Sequence, residues 1–253
     1  MEPDERLTTE KTPVPDLVLV PGGTFLMGKE GSRKDEQPAH RVFVAAFLAA
    51  VSPVTNADYA VFVAETGTKQ PPFMGEEQFA APDQPVVGIN WFEATAYCEW
   101  LSARTQPRLR LPTEAEREWA ALGGLDSGDW PWRGDGHPLA AELSAMDRPH
   151  SPRPECANGY GLRCMAENVH EWCSDWYGGG YYAVSPGESP GGPGEGKRRV
   201  SRGGSWRHSD KFTRINARSS LDPSFRYSDF GFRVYADARA LDPARDESPA
   251  SQH

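Results

Sequence analysis

Ser205 and His208 are the residues of this chain whose types and spacing come nearest to nucleophilic chemistry. A serine attacks only when a base within hydrogen-bond reach takes its proton and an acid orients that base. Asp210 is the one acid close by in sequence. That constellation is thin, and a hydrolase is not expected. Glu114 and Glu116 have the spacing of paired carboxylates. Both fall at the start of a predicted helix, where first-turn acids answer the positive end of the backbone dipole. Cys98, Cys156, Cys164 and Cys173 include no Cys-x-x-Cys pair, so they are read as reduced structural thiols. Arg202, Arg207, Arg214, Arg218, Arg226 and Arg233 crowd one segment of an acidic chain. They suit carboxylate pairing that orders loops, or contact with a peptide ligand.

These residues need elements to hold them. Val200 to Arg202 reads as a short strand, and Gly203-Gly204 lets the backbone turn or approach a neighbour closely. Phe230 to Val234 alternates like a strand. At the other end, Leu17 to Val20 and Thr24 to Gly28 form a hairpin across Pro21-Gly22-Gly23, and His40 to Val44 is a third strand. Three helices follow. Thr55 caps 56–66, with Tyr59, Phe62 and Val63 on one face and Gly67 at the end. Asn90 and Glu93 make a capping box for 91–104, whose buried stripe is predicted as Trp91, Thr95, Cys98 and Leu101. Thr113 and Glu116 make another, and Gly123-Gly124 ends that helix. Trp130-Pro131-Trp132 is an expected aromatic anchor in a long loop. The Gly/Pro/Ser stretch 178–196 is expected to be mobile, pinned at one end by Tyr181 and Tyr182.

The chain has 253 residues, enough for one substantial core. Gly and Pro number 25 and 23, a share that favours a loop-rich fold of short elements. A net charge of −9 argues against a nucleic-acid partner, which needs clustered cations. No apolar run approaches the roughly 20 residues of a membrane span. The first residues lack the basic start and apolar core of a secretory signal, so a cytoplasmic, monomeric protein is expected. Residues 1–15 and 237–253 are expected to be disordered tails around one domain, 16–236.

The run Arg202-Gly203-Gly204-Ser205-Trp206, an arginine-bearing segment and Gly231-Phe232-Arg233-Val234 resembles the C-terminal signature of the formylglycine-generating enzyme (sulfatase-modifying factor) family. Val20-Pro21-Gly22-Gly23-x-Phe25-x-Met27-Gly28 resembles the family's opening. Trp91-Phe92-Glu93-Ala94-x-x-Tyr97-Cys98-x-Trp100, Leu111-Pro112-Thr113-Glu114-Ala115-Glu116, and Tyr160-Gly161-Leu162 leading to Asn168-Val169-His170-Glu171-Trp172 are similar to its internal motifs. The resemblance covers residues 17 to 235. It implies an α+β fold, distantly like C-type lectins and poor in regular secondary structure.

In the catalytic members the C-terminal signature carries two cysteines, five positions apart, that bind Cu(I) and oxidise a sulfatase cysteine. Here those positions are His208 and Thr213, so copper is not expected at the family site. His170 stands where the enzymes have a cleft-lining tryptophan. The resemblance therefore places Ser205, His208, Thr213 and His170 around one cleft as candidate catalytic positions, with Trp206, Arg207, Arg214 and Arg218 as candidate ligand contacts. His170 and His208, joined by Cys173, are a candidate transition-metal set; the alternative is hydrogen-bonding groups in a polar groove. The family's structural Ca²⁺ maps onto Cys164, the Glu167 and Val169 carbonyls and Glu171. A thiol is no ligand for a hard cation, so one anchoring ligand is lost and Ca²⁺ is a candidate cofactor only at a degraded site. A second family Ca²⁺ site falls near Glu142 to Asp147. No His-x3-His-x-Glu pattern of the iron-binding relatives occurs. Two functions follow: a binding module for a protein or peptide, or a metal- and O₂-dependent oxidase of the formylglycine-generating type.

Overall fold

Capping chemistry sets the helices where the sequence puts them. The computed structural model describes residues 12–132, 147–208 and 210–238. Helix α1 is Asn56–Thr66, α2 is Trp91–Ser102 and α3 is Glu114–Leu122. Thr55, Asn90 and Thr113 each accept a hydrogen bond from the third helical N–H, and the Asp58, Glu93 and Glu116 carboxylates accept one from the N–H of the cap residue. Gly67 and Gly123 close α1 and α3 in the left-handed conformation. The buried stripe of α2 is Ala94, Tyr97, Cys98, Trp100 and Leu101, rotated from the predicted one. Trp91 and Thr95 are half-buried, because the Trp91 indole reaches sideways to donate to the Cys173 carbonyl at 2.9 Å.

Among the described residues ten short strands make three sheets: β1 Leu17–Val20, β2 Gly23–Met27, β3 His40–Val44, β4 Phe47–Ala50, β5 Leu109–Arg110, β6 His170–Trp176, β7 Arg199–Arg202, β8 Ser219–Leu221, β9 Phe230–Gly231 and β10 Tyr235–Asp237. One sheet runs β1-β4-β10-β5, a second is the β2-β3 hairpin, and the third runs β8-β7-β6-β9. The hairpin expected between 17–20 and 24–28 does not form, because β1 pairs with β4 and β2 with β3. Of the strand expected over 230–234 only Phe230–Gly231 forms, as β9, and β10 begins at Tyr235 in another sheet. Between them Phe232 and Arg233 cross the interior, each fully buried. The last strand takes in Asp237, one residue beyond the expected domain end.

Tyr59 stacks on Tyr97 at 5.7 Å, and Phe232 meets both rings edge-on. This cluster joins α1 and α2 to the sheets. Around α3 the interior is ionic. Arg117, Arg202, Arg218 and Arg233 are all at or below 1 % exposure, and each faces a carboxylate. Arg117 and Arg233 hold Glu171 at 2.8 Å. Arg202 and Arg218 hold Glu114 at 2.7 Å, and Arg202 also meets Glu118 at 2.5 Å. Glu114 is therefore more than a first-turn acid. It is the buried hub of two guanidiniums.

The glycine-rich stretch is fastened rather than loose. Phe43 and the segment 187–189 exchange hydrogen bonds of 2.8 Å, and Tyr182 is buried under His40, ring centroids 4.8 Å apart. Trp130 and Trp132 stack at 5.4 Å, the expected anchor. Among the described residues no helix is long and apolar enough to cross a membrane. The second Ca²⁺ position, up to residue 146, and most of both tails lie outside the described residues.

Candidate functional site

Parallel pairing of β6 with β9 sets His170 opposite Phe230, and the His170 N–H donates to the Asp229 carbonyl at 2.8 Å. The loop after β7 then folds across this edge. Gly203 and Gly204 have φ of +95° and +66°, and a β-carbon on Gly203 would stand 2.7 Å from an Arg117 nitrogen. A β-carbon on Gly204 would sit 2.5 Å from the Thr213 methyl. Only glycine turns the chain here without displacing buried groups. The Trp206 N–H donates to Asn168 O at 2.9 Å, and His208 N–H to Ser205 O at 2.9 Å.

The result is one polar cluster at the cleft. His170 Nε2 lies 3.2 Å from His208 Nδ1. Ser205 Oγ donates to Asp229 Oδ2 at 2.9 Å and stands 3.4 Å from His208 Nδ1. One donor atom each from His170, His208 and Asp229 falls within 4.8 Å of the others. Burial, then the proximity of His208 and Arg117, pushes the His170 imidazole down to about 3. Burial also lowers His208, against the pull of Asp229. Both rings are therefore neutral near pH 7, and each keeps a lone pair on one nitrogen.

The cluster opens into a cleft of about 340 Å³ bounded by Arg33, Tyr177, Arg198 and Phe212 as well as the two histidines. Asp229 and these four residues were not singled out by sequence. Asp229 precedes a short strand, and only that strand's pairing with β6 identifies it. Ser205 is 1 % exposed and its proton points to a carboxylate rather than to the imidazole, so it is a structural hydroxyl and not an activated nucleophile.

The other candidates divide. Arg207 is half-exposed, 3.9 Å from Asp229, and remains able to meet a ligand. Trp206 packs on Phe79, ring centroids 6.2 Å apart. Arg214 is corrected: its guanidinium is committed to Glu36 at 3.1 Å. Arg218 borders the cleft but is spent on Glu114. Thr213 is buried against Gly204. Cys173 lies on the opposite face of β6 from His170, fully buried, and takes no part in the imidazole set.

Neither family metal fits its position. The Cu(I) position offers an imidazole and a hydroxyl in place of two thiolates. At the Ca²⁺ position Cys164 presents sulfur, and Glu171 is engaged by Arg117 and Arg233 on both oxygens. Burial would raise the Glu171 carboxyl, but the two guanidiniums hold it below its ordinary value. A divalent cation against that arginine pair would meet repulsion instead of ligands.

Residues 3–238 match the model of the sulfatase-modifying factor enzyme 1-like domain. The chain is 36 % identical over 294 residues to the formylglycine-generating enzyme of Streptomyces coelicolor, covering 87 % of this chain and 89 % of the enzyme. It is 34 % identical over 238 residues to the serine/threonine-protein kinase pkn1 of Chlamydia caviae, covering 86 % of this chain but 37 % of the kinase. The chain thus spans little more than a third of those chlamydial proteins. Among solved structures, PvdO from Pseudomonas aeruginosa superposes with a TM-score of 0.76 at 26 % identity, covering 88 % of this chain and 94 % of PvdO.

Proposed function

Because the chain belongs to the sulfatase-modifying factor family, we propose that it is an atypical member that binds a peptide or protein segment in the family cleft without a copper dithiolate. One observation carries this reading. The cleft presents neutral imidazoles, aromatic rings and guanidinium groups, while all four thiols are buried and none stands among the residues that border it. Arg33, Arg198 and Arg207 suit peptide carbonyls and carboxylates, and Tyr177 and Phe212 suit side chains. Soft Cu(I) requires sulfur, and His208 and Thr213 supply none.

The test is incubation of the protein with a Cys-x-Pro-x-Arg peptide, Cu(I) and O₂, followed by mass spectrometry. The peptide is expected to emerge unchanged. Conversion of its cysteine to formylglycine would overturn the binding reading.

The His170, His208 and Asp229 donors favour a second reading, an oxidase with a different ligand set. Two histidines and a carboxylate facing an open cleft suit Fe(II) or another transition metal, which would supply O₂ chemistry. Calorimetric titration with Cu, Zn and Fe(II) decides this. A metal held by these donors loses its affinity in His208→Ala; unchanged affinity in that variant ends the reading.

A further inference from the structure

On the far side of Asn168 from the cleft loop, a second set of donors converges. His150, Cys156, Cys164 and Glu167 each place one donor atom within 4.8 Å of the others, and the histidine and both cysteines are buried. Several features hold them there. The chain doubles back through an Ala157–Arg163 bridge, with the Cys164 N–H donating to Cys156 O at 3.3 Å. The Asn168 side chain clamps the His150 backbone, accepting from its N–H at 3.0 Å and donating to its carbonyl at 2.8 Å.

Cys164 and Asn168 both have left-handed backbone, φ 58° and 78°. A cysteine rarely adopts this conformation, so surrounding contacts must impose it on Cys164. His150 Nδ1 lies 3.1 Å from Ser151 O and so carries the proton. That leaves the lone pair on Nε2, which is buried and makes no hydrogen bond among the described residues.

We propose that His150 Nε2, the sulfurs of Cys156 and Cys164 and the Glu167 carboxylate form a structural Zn²⁺ site. Two thiolates, an imidazole and a carboxylate are ligands zinc accepts in closed tetrahedral sites. With Zn–S near 2.3 Å and Zn–N near 2.0 Å, a tetrahedron sets its donors about 3.3–3.8 Å apart. With the donors within 4.8 Å of one another, the cluster therefore needs to close by about 1.5 Å at most. The same ligands disfavour Ca²⁺, which takes six or more oxygens. Cys164 thus stands where the family's hard-cation ligand is expected, and here it belongs to a softer set. Zinc takes its cysteines as thiolates, so binding releases protons and weakens as pH falls.

The experiment uses the full chain, purified under reductant and dialysed against Zn²⁺. The expected result is one retained zinc per chain and a raised melting temperature. Retained metal falls to background in Cys156→Ser/Cys164→Ser and is kept in His208→Ala. Substitution of Co²⁺ into the unaltered protein gives the intense visible bands of tetrahedral cobalt and a thiolate charge-transfer band, a readout that does not depend on the variant folding. Three results overturn the site: no zinc retained with all four thiols titratable, a Cys156–Cys164 disulfide in place of bound metal, or retention of Ca²⁺ alone. Because the double cysteine variant leaves the cleft histidines intact and His208→Ala leaves this cluster intact, failure here is separable from failure of the cleft reading.

Discussion

Replacing Glu114 by alanine is expected to lower the unfolding free energy by about 3–5 kcal/mol, the cost of stranding buried charge. Arg202 and Arg218 both lose the carboxylate that each meets at 2.7 Å. Arg202 keeps Glu118, but the buried Arg218 guanidinium is left with two backbone carbonyls and the rings of Tyr177 and Tyr182, with no anionic partner among its described contacts. Against a typical stability of about 5–15 kcal/mol, such a loss removes much of the folded population's margin. Glu116→Ala is the control. Glu116 is also in the first turn of α3, but it caps the helix and pairs with half-exposed Arg110, a role worth about 1 kcal/mol. Urea denaturation of the two variants compares them directly. Equal losses would mean that the buried position of Glu114 carries no special weight.

Stability is next expected to fall as pH rises from about 4 to about 7, and Asp175→Asn is expected to abolish that fall. Burial, and then the negative charge of Glu114, pushes Asp175 from 3.8 to about 7, against the Glu114 N–H and Ser174 hydroxyl bonds to its carboxylate. A carboxyl raised on folding binds its proton more tightly in the folded state. Its contribution is therefore present at low pH and lost as pH climbs from the unfolded value through the folded one. A shift of about three units corresponds to about 4 kcal/mol. Asparagine keeps the accepted hydrogen bonds and carries no charge, so at pH 8 the variant is expected to be the more stable by about 2–4 kcal/mol. Glu114 acts in a different window. Burial would raise its carboxyl, but Arg218 and Arg202 hold it below its ordinary value of 4.5, so its contribution is present above that pH and lost only as pH falls below it. Denaturation midpoints from acid to pH 8 separate the two, and a flat profile between pH 4 and 7 for the native chain would refute the Asp175 argument.

Much of the scaffold was legible because its signals are local. Thr55, Asn90 and Thr113, each with an acid three residues on, fix the helix starts, and Gly67 and Gly123 fix two of the ends. Strand β6 was not. His170 to Cys173 is buried at every position, so it shows none of the alternation by which a half-buried strand is recognised. The cleft was half legible. His170, Ser205 and His208 fall on motif positions, but Asp229 meets Ser205 across 24 residues through strand pairing, which no spacing encodes. Glu114 illustrates a different limit. A first-turn acid has a sufficient local explanation, so nothing in the sequence asks for the two arginines that claim it. Cys156 and Cys164, eight positions apart, match no ligand spacing, and only the folded loop brings His150 to them.

The division between an ionic interior and an open rim bears on how this architecture can change. The groups that lock α3, β6 and β7 together lie beneath the opening, while Arg198 and Phe212 at its edge take no part in the buried Glu114, Glu118 and Glu171 pairs. Mutational drift at the edge is therefore decoupled from the foundation. New specificities can be sampled there by random substitution, as on a display scaffold, while the framework stays folded.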